Sequence, residues 1–249
     1  MTYTEIQYDV ADAVATITLD RPDALNAITP TMLAELNAAA EAAAGDASVR
    51  VVVFTGNGRA FSAGVDLKAL GERELVDGKV GDILDLPARQ LTSTLSTMPK
   101  PVIAAVNGFC FTGALELALA CDVIVAADEA KFGDTHAKWG LRPTWGMSQR
   151  LPALVGLARA RYLSYTARNF TGAEAAAWGL AAVSVPRDDL RDTVAALADE
   201  MKENSAESFV AYKDLFNAAE QLGIEAGLAY EAEHDYPFTD TDQRLAGFR

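Results

Sequence analysis

The stretch PKPVIAAVNGFCFTGALELALACD, residues 99–122, decides how the chain reads. Its apolar run breaks at Asn107-Gly108 and resumes with helical composition. Residues 102–106 are too short and too uniformly apolar for an amphipathic helix, which predicts a strand buried on both faces. Residues 113–121 are rich in Ala, Leu and Glu, good helix formers, and Gly113 allows close backbone approach where that helix begins. The first turn of a helix leaves N–H groups unpaired and carries positive partial charge, so Gly113 is a candidate donor to a developing negative charge. Glu116 lies about one turn on and projects from the same end. A plainer reading of the same residues is a packing glycine and a glutamate that complements the helix dipole.

A second glycine-bearing stretch, VVVFTGNGRAFSAGVDL at 51–67, lies upstream. Together with AFSAGVDL at 60–67, PVIAAVNG at 101–108, ELALACD at 116–122 and FGDTH at 132–136, the chain resembles the crotonase family, the enoyl-CoA hydratase/isomerase superfamily. RPDALNA at 21–27 and TGAEAAAWGL at 171–180 extend the resemblance almost end to end. It implies an α/β fold, a spiral of repeated strand-strand-helix turns over residues 1–187 that binds acyl-CoA. Residues 188–249 would then form a helical region for oligomerisation, giving a homotrimer or a dimer of trimers.

The residues fit such a plan. Segments 5–8 and 14–20 alternate apolar with polar or small side chains and predict a hairpin. Thr29-Pro30 starts a helix that runs to Ala44 and stops at Gly45. A buried strand follows at 49–54, giving the strand-strand-helix-strand order of alternating α/β folds. A short helix at 66–70, a solvated loop at 71–82, a helix at 83–97 and strands at 122–126, 131–133 and 183–185 are expected. Only short helices fit between Pro143 and a helix at 157–167. From residue 188 the composition turns helical, at 190–204, 206–222, 224–235 and 242–248.

With 249 residues, half of them apolar, the chain can bury a sizeable core. Its net charge of −14 repels nucleic-acid backbones and anionic membranes. A polyphosphate can still be held where basic residues gather locally, and Arg21, Arg59 and Lys68 are the candidates. Cys110 and Cys121 stand in apolar surroundings without a C-x-x-C spacing and read as reduced core residues. The N-terminus lacks a basic-then-apolar signal segment and no run is long enough to span a bilayer, so a soluble cytoplasmic protein is expected.

The resemblance implies a site in which the backbone N–H groups of Val65 and Gly113 hold a thioester oxygen. Two such donors make Cα more acidic and Cβ more electrophilic, because enolate charge is stabilised where it develops. Ala63 and Gly64 would let the acyl chain lie close, with Ala24, Leu25, Asp66, Leu67 and Lys68 completing the binding of substrate and coenzyme A. No cofactor is implied, coenzyme A being part of the substrate, and no metal.

Hydration of a trans-2-enoyl-CoA also needs one group to take a proton from water and one to deliver a proton at Cα. Glu116 matches the first of two glutamates in the family's hydratases; the second position, twenty residues on, holds His136. A neutral imidazole can accept a proton from water near neutrality, so His136 is either a proton carrier or a polar wall residue. Where the family commonly has Pro-Gly-x-Gly-Gly, this chain has Pro143-Thr144-Trp145-Gly146-Met147, and Trp145 puts bulk beside the water site. Trp139 reads as a core aromatic.

Two other outcomes fit these departures. Glu116 alone could carry a proton between carbons in an enoyl-CoA isomerase, or the protein could bind acyl-CoA without turning it over. Other chemistries fail on spacing. Phe61 breaks the G-x-G-x-x-G pattern, Ala60 spoils a nucleophile elbow at Ser62, and His136 and His234 without a cysteine cluster do not make a zinc site.

Overall fold

The computed structural model describes residues 2–68 and 76–248. The chain opens with an antiparallel hairpin, β1 (Ile6–Ala11) and β2 (Val14–Leu19), which reverses at Asp12 and Ala13, both at positive φ. Helix α1 (Pro30–Gly45) starts as expected. The Thr29 hydroxyl accepts the Met32 N–H at 3.0 Å, Pro30 takes the first position, and Met32, Leu33, Leu36 and Ala40 are buried.

Three repeats follow. The first is β3 (Val51–Gly56), β4 (Ala60–Ser62) and α2 (Asp82–Thr97); the second is β5 (Val102–Val106), β6 (Phe109–Phe111) and α3 (Gly113–Ala118). The third is β7 (Val123–Ala127) and β8 (Lys131–Gly133), then α4 (Met147–Val155) and α5 (Leu157–Thr166). A closing unit runs β9 (Phe170–Thr171), α6 (Gly172–Ala177) and β10 (Val183–Val185). The first strand of each repeat joins one sheet, in the order β1-β2-β3-β5-β7-β10, parallel from β2 onward; the second strand joins another, β4-β6-β8-β9. Every residue of β5 is buried, the expected mark of a central parallel strand covered on both faces. The strand-strand-helix spiral is therefore present.

The second sheet is the part composition does not announce. β4, β6 and β9 have two or three residues each, and they add strands beyond those expected from the sequence. Their places are set by packing: Phe61 of β4 meets Phe54 of β3 edge-on at 5.1 Å between ring centres, and Phe132 of β8 stacks on Phe170 of β9 at 5.5 Å. The capping box of α6, in which Thr171 and Glu174 satisfy each other's backbone N–H groups, fixes the turn after β9.

Residues 66–68 form a turn, not the start of the expected helix at 66–70; positions 69–70 of that helix and 71–75 of the expected loop lie outside the described residues. The C-terminal helices stand where expected: α7 (Leu190–Glu203), α8 (Ala206–Gln221), α9 (Ile224–Glu233) and α10 (Thr241–Leu245). Helix α7 buries Leu190, Val194 and Ala198 and packs on β3, β5 and β7. Helices α8 and α9 leave Phe216, Ile224 and Leu228 exposed. No described helix is long and apolar enough to cross a membrane.

Candidate active site

The chain leaves each of the three short parallel strands β4, β6 and β8 toward one cavity of about 710 Å³, and each exit supplies one part of its wall. After β4 come Ala63, Val65, Asp66, Leu67 and Lys68. Val65 bridges Ile28: the Ile28 N–H donates to the Gly64 carbonyl at 2.8 Å and the Asp66 N–H to the Ile28 carbonyl at 2.9 Å. Alternation along an extended backbone then turns the Val65 N–H to the opposite side. Gly64 has φ +90°, and a Cβ there would lie 2.7 Å from Thr112 Oγ1 and 2.8 Å from the Phe111 carbonyl. Only glycine lets this segment approach the one that follows β6.

That second segment turns through Thr112 at φ +49°, a region costly for a threonine, with its N–H donated to the Gly133 carbonyl at 2.9 Å. Gly113 opens α3 and faces the cavity. Among the described residues no hydrogen bond takes up the N–H of Val65 or of Gly113. Val65 and Gly113 thus line the same cavity, with neither amide taken up by a hydrogen bond among the described residues.

Glu116 is 1 % exposed. Its Oε1 accepts the N–H groups of Trp145 and Met147 at 2.9 and 3.0 Å, and its Oε2 lies 3.7 Å from Nε2 of His136. Burial pushes its carboxyl above the usual range, against the pull of those amide bonds and of His136. One oxygen is fixed by the backbone and the other faces the imidazole.

The exit from β8 carries Asp134 and His136, both buried. His136 Nδ1 is 2.7 Å from Asp134 Oδ1, which also accepts the His136 backbone N–H at 3.2 Å. Burial raises the Asp134 carboxyl, but hydrogen bonds from His136 and Ser164 outweigh it and hold the group below the ordinary carboxylate range. Trp145 lies with its ring against Gly113, where a Cβ would come within 2.5 Å of Cζ3. Its Nε1 donates to Oδ1 of the buried Asp85 at 2.8 Å, so the expected bulk is present and clamped in place.

The structure brings together most of the residues the sequence singles out. Ala24, Val65, Lys68, Gly113, Glu116 and His136 all line the cavity, as do Ala63, Asp66 and Leu67. Leu25 and Gly64 do not line it; they position the segment after β4, the Leu25 carbonyl accepting the Ala63 N–H at 2.9 Å.

Two of the three basic candidates for phosphate are not among the residues that line the cavity. Arg21 is bound at 3.0 Å to Asp66, a lining residue, and lies 3.5 Å from Glu5, without lining the cavity itself, and Arg59 is exposed on the turn between β3 and β4. Lys68 remains, joined by Lys138 and Arg142, which the sequence gives no reason to choose. Trp139 is not a core aromatic: it is 60 % exposed on the cavity wall, with Lys138 over its ring at 5.3 Å. Asp134 is the other omission; an acid two residues before a histidine is the one signal that could have marked it.

The family model described as enoyl-CoA hydratase/isomerase matches residues 9–249. A probable peroxisomal enoyl-CoA hydratase of Arabidopsis thaliana is 35% identical over 90% of this chain and 83% of its own. The short-chain-enoyl-CoA hydratase of Clostridium acetobutylicum is 34% identical over 88% and 84%. Among solved structures, the enoyl-CoA hydratase of Bacillus anthracis superposes with a TM-score of 0.87 at 32% identity, over 92% of this chain and 89% of that one.

Proposed function

The chain belongs to the enoyl-CoA hydratase/isomerase family, and from that premise we propose that it adds water across the double bond of a trans-2-enoyl-CoA thioester. The observation that carries this reading is the pair Glu116 and His136, 3.7 Å apart in a cavity also lined by Val65 and Gly113, whose amides no hydrogen bond among the described residues takes up. The amides of Val65 and Gly113 hold the thioester oxygen and stabilise the enolate as it forms. Water then attacks Cβ. One member of the pair takes its proton as the new C–O bond forms, the π electrons move into the enolate, and the other member delivers a proton to Cα.

One acceptor and one donor are needed, so the pair works with a single shared proton. Neutral His136 opposite protonated Glu116 does so, and imidazolium opposite carboxylate does so with the roles exchanged. Each turnover converts one arrangement into the other, and the proton count of the enzyme is unchanged. Burial raises the Glu116 carboxyl, the direction that favours a proton carrier over a permanently ionised carboxylate.

Ala24, Ala63, Asp66 and Leu67 lie along the thioester arm, with Lys68 toward the phosphates, and Leu25 and Gly64 hold that segment in place. The C-terminal region at 188–249 serves self-association, as a homotrimer or a dimer of trimers. The exposed Phe216, Ile224 and Leu228 of α8 and α9 supply an apolar surface for it.

The test is turnover of short, medium and aromatic trans-2-enoyl-CoA esters, each followed by loss of the conjugated thioester and appearance of the 3-hydroxyacyl product. Consumption of a 3-enoyl-CoA without hydration of any 2-enoyl ester would make the protein an isomerase working through Glu116 alone. Calorimetric binding of a saturated acyl-CoA with no turnover would make it a binding protein.

A further inference from the structure

We propose that Asp134 is a positioning residue that keeps a proton on Nδ1 of His136 and aims Nε2 across the cavity at Glu116; its part in hydration rests on the reading above. Two contacts made by one oxygen support it. Asp134 Oδ1 lies 2.7 Å from Nδ1, the length of a charge-assisted hydrogen bond. The same oxygen accepts the His136 backbone N–H at 3.2 Å, so backbone and ring are held by one atom. Ser164, from α5, helps hold that carboxylate below the ordinary carboxylate range.

An ionised carboxylate is acceptor-only, so the ring nitrogen facing it must carry the hydrogen. Neutral His136 then presents a bare lone pair at Nε2, the nitrogen 3.7 Å from Glu116 Oε2. That distance is too long for a direct hydrogen bond, so the lone pair is not consumed by the glutamate. With the opposite tautomer Nε2 would carry a hydrogen, and neutral His136 could not take a proton from water. Once that proton has been taken, the buried Asp134 carboxylate faces an imidazolium and compensates its charge. The negative charge that the family's second glutamate would place in the cavity thus sits behind the ring, 2.7 Å from Nδ1. The position held by His136 is a carboxylate working through an imidazole.

The experiment is ¹⁵N spectroscopy of the histidine-labelled full chain together with kinetics of Asp134→Asn and Asp134→Glu. His136 and His234 are the only histidines, and His234 sits exposed at the end of α9, so a His234→Gln sample assigns the spectrum. Wild-type His136 is expected as the Nδ1–H tautomer. Asp134→Asn, whose amide can donate to Nδ1, is expected to move the spectrum toward Nε2–H and to lower kcat roughly 10²-fold, with KM within about threefold. Asp134→Glu is expected to recover part of kcat and the Nδ1–H signal.

A wild-type Nε2–H tautomer overturns the proposal, and so does an Asp134→Asn protein with wild-type kcat. Should Asp134→Asn fail to fold, the wild-type spectrum and Asp134→Glu decide. If wild-type protein hydrates no enoyl-CoA, the hydration reading fails by itself, and the tautomer still decides whether Asp134 holds the ring.

Discussion

Two kinds of part meet in the cavity, and they are held in place differently. The donors at Val65 and Gly113 belong to the main chain, and what positions them is room: a glycine at 64 that passes against Phe111 and Thr112, and a glycine at 113 under the Trp145 ring. Glu116 and His136 are side chains, each pinned by one atom, Oε1 under two amides and Nδ1 against Asp134. The backbone parts tolerate a change of residue type but not an added Cβ at a close approach. The side-chain parts depend on single functional groups, the Glu116 carboxyl and the His136 imidazole.

Breaking the side-chain half gives the largest effect. Glu116→Gln keeps an oxygen for the Trp145 and Met147 amides but cannot carry a proton, and kcat on a trans-2-enoyl-CoA is expected to fall roughly 10²-fold or more with KM little changed. An unchanged rate removes Glu116 from the chemistry. His136→Ala is expected to lower kcat by roughly 10- to 10²-fold in the same assay. Wild-type turnover there would leave His136 as wall and point to Glu116 acting alone.

The backbone half answers to Gly64→Ala. The new Cβ meets Thr112 Oγ1 and the Phe111 carbonyl and must be accommodated at φ +90°, so the Val65 segment shifts from Gly113. About 1–3 kcal/mol of stability and roughly tenfold in kcat are expected to go together, read by urea unfolding and steady-state kinetics. Full activity with full stability would show that the two donors do not depend on this approach.

The smallest effect is on stability against pH. Burial raises the folded-state pKa of Glu116, so its contribution is fully present below the unfolded-state value and is lost as pH rises through the folded one. Glu116→Gln should therefore gain stability relative to wild type between acidic and neutral pH. Asp134 runs the other way: its folded pKa is lowered, so its contribution is present above the unfolded value and is lost as pH falls through the folded one. A wild-type-minus-Gln difference that stays flat from acid to neutral would contradict the assigned burial of the Glu116 charge.

The long elements were legible because each carries a period or a uniform run: β5 is apolar throughout and buried throughout, and α1 announces itself by Thr29-Pro30. The second sheet was not, since two or three residues cannot display an alternation and their positions depend on rings contributed from elsewhere, such as Phe54 and Phe170. Glu116, Gly113 and His136 could be picked out by motif and spacing. Arg21 could not be judged from sequence because its partners Glu5 and Asp66 are 16 and 45 residues away, Arg21 to Glu5 and Arg21 to Asp66 respectively. Trp139 misled in the opposite sense: apolarity suggests burial, yet the residue stands on the cavity rim.

The brevity of β4, β6 and β8 decides how this protein would wear out. Strands of three residues offer few ladder bonds to resist displacement, so the exits from β4 and β8 lean on aromatic pegs, Phe61 against Phe54 and Phe132 against Phe170. Loosening one peg would blur a single edge of the cavity while the six-stranded sheet stayed intact. Damage there would therefore surface first as a sluggish enzyme of normal outward shape, and only later as a protein that melts early.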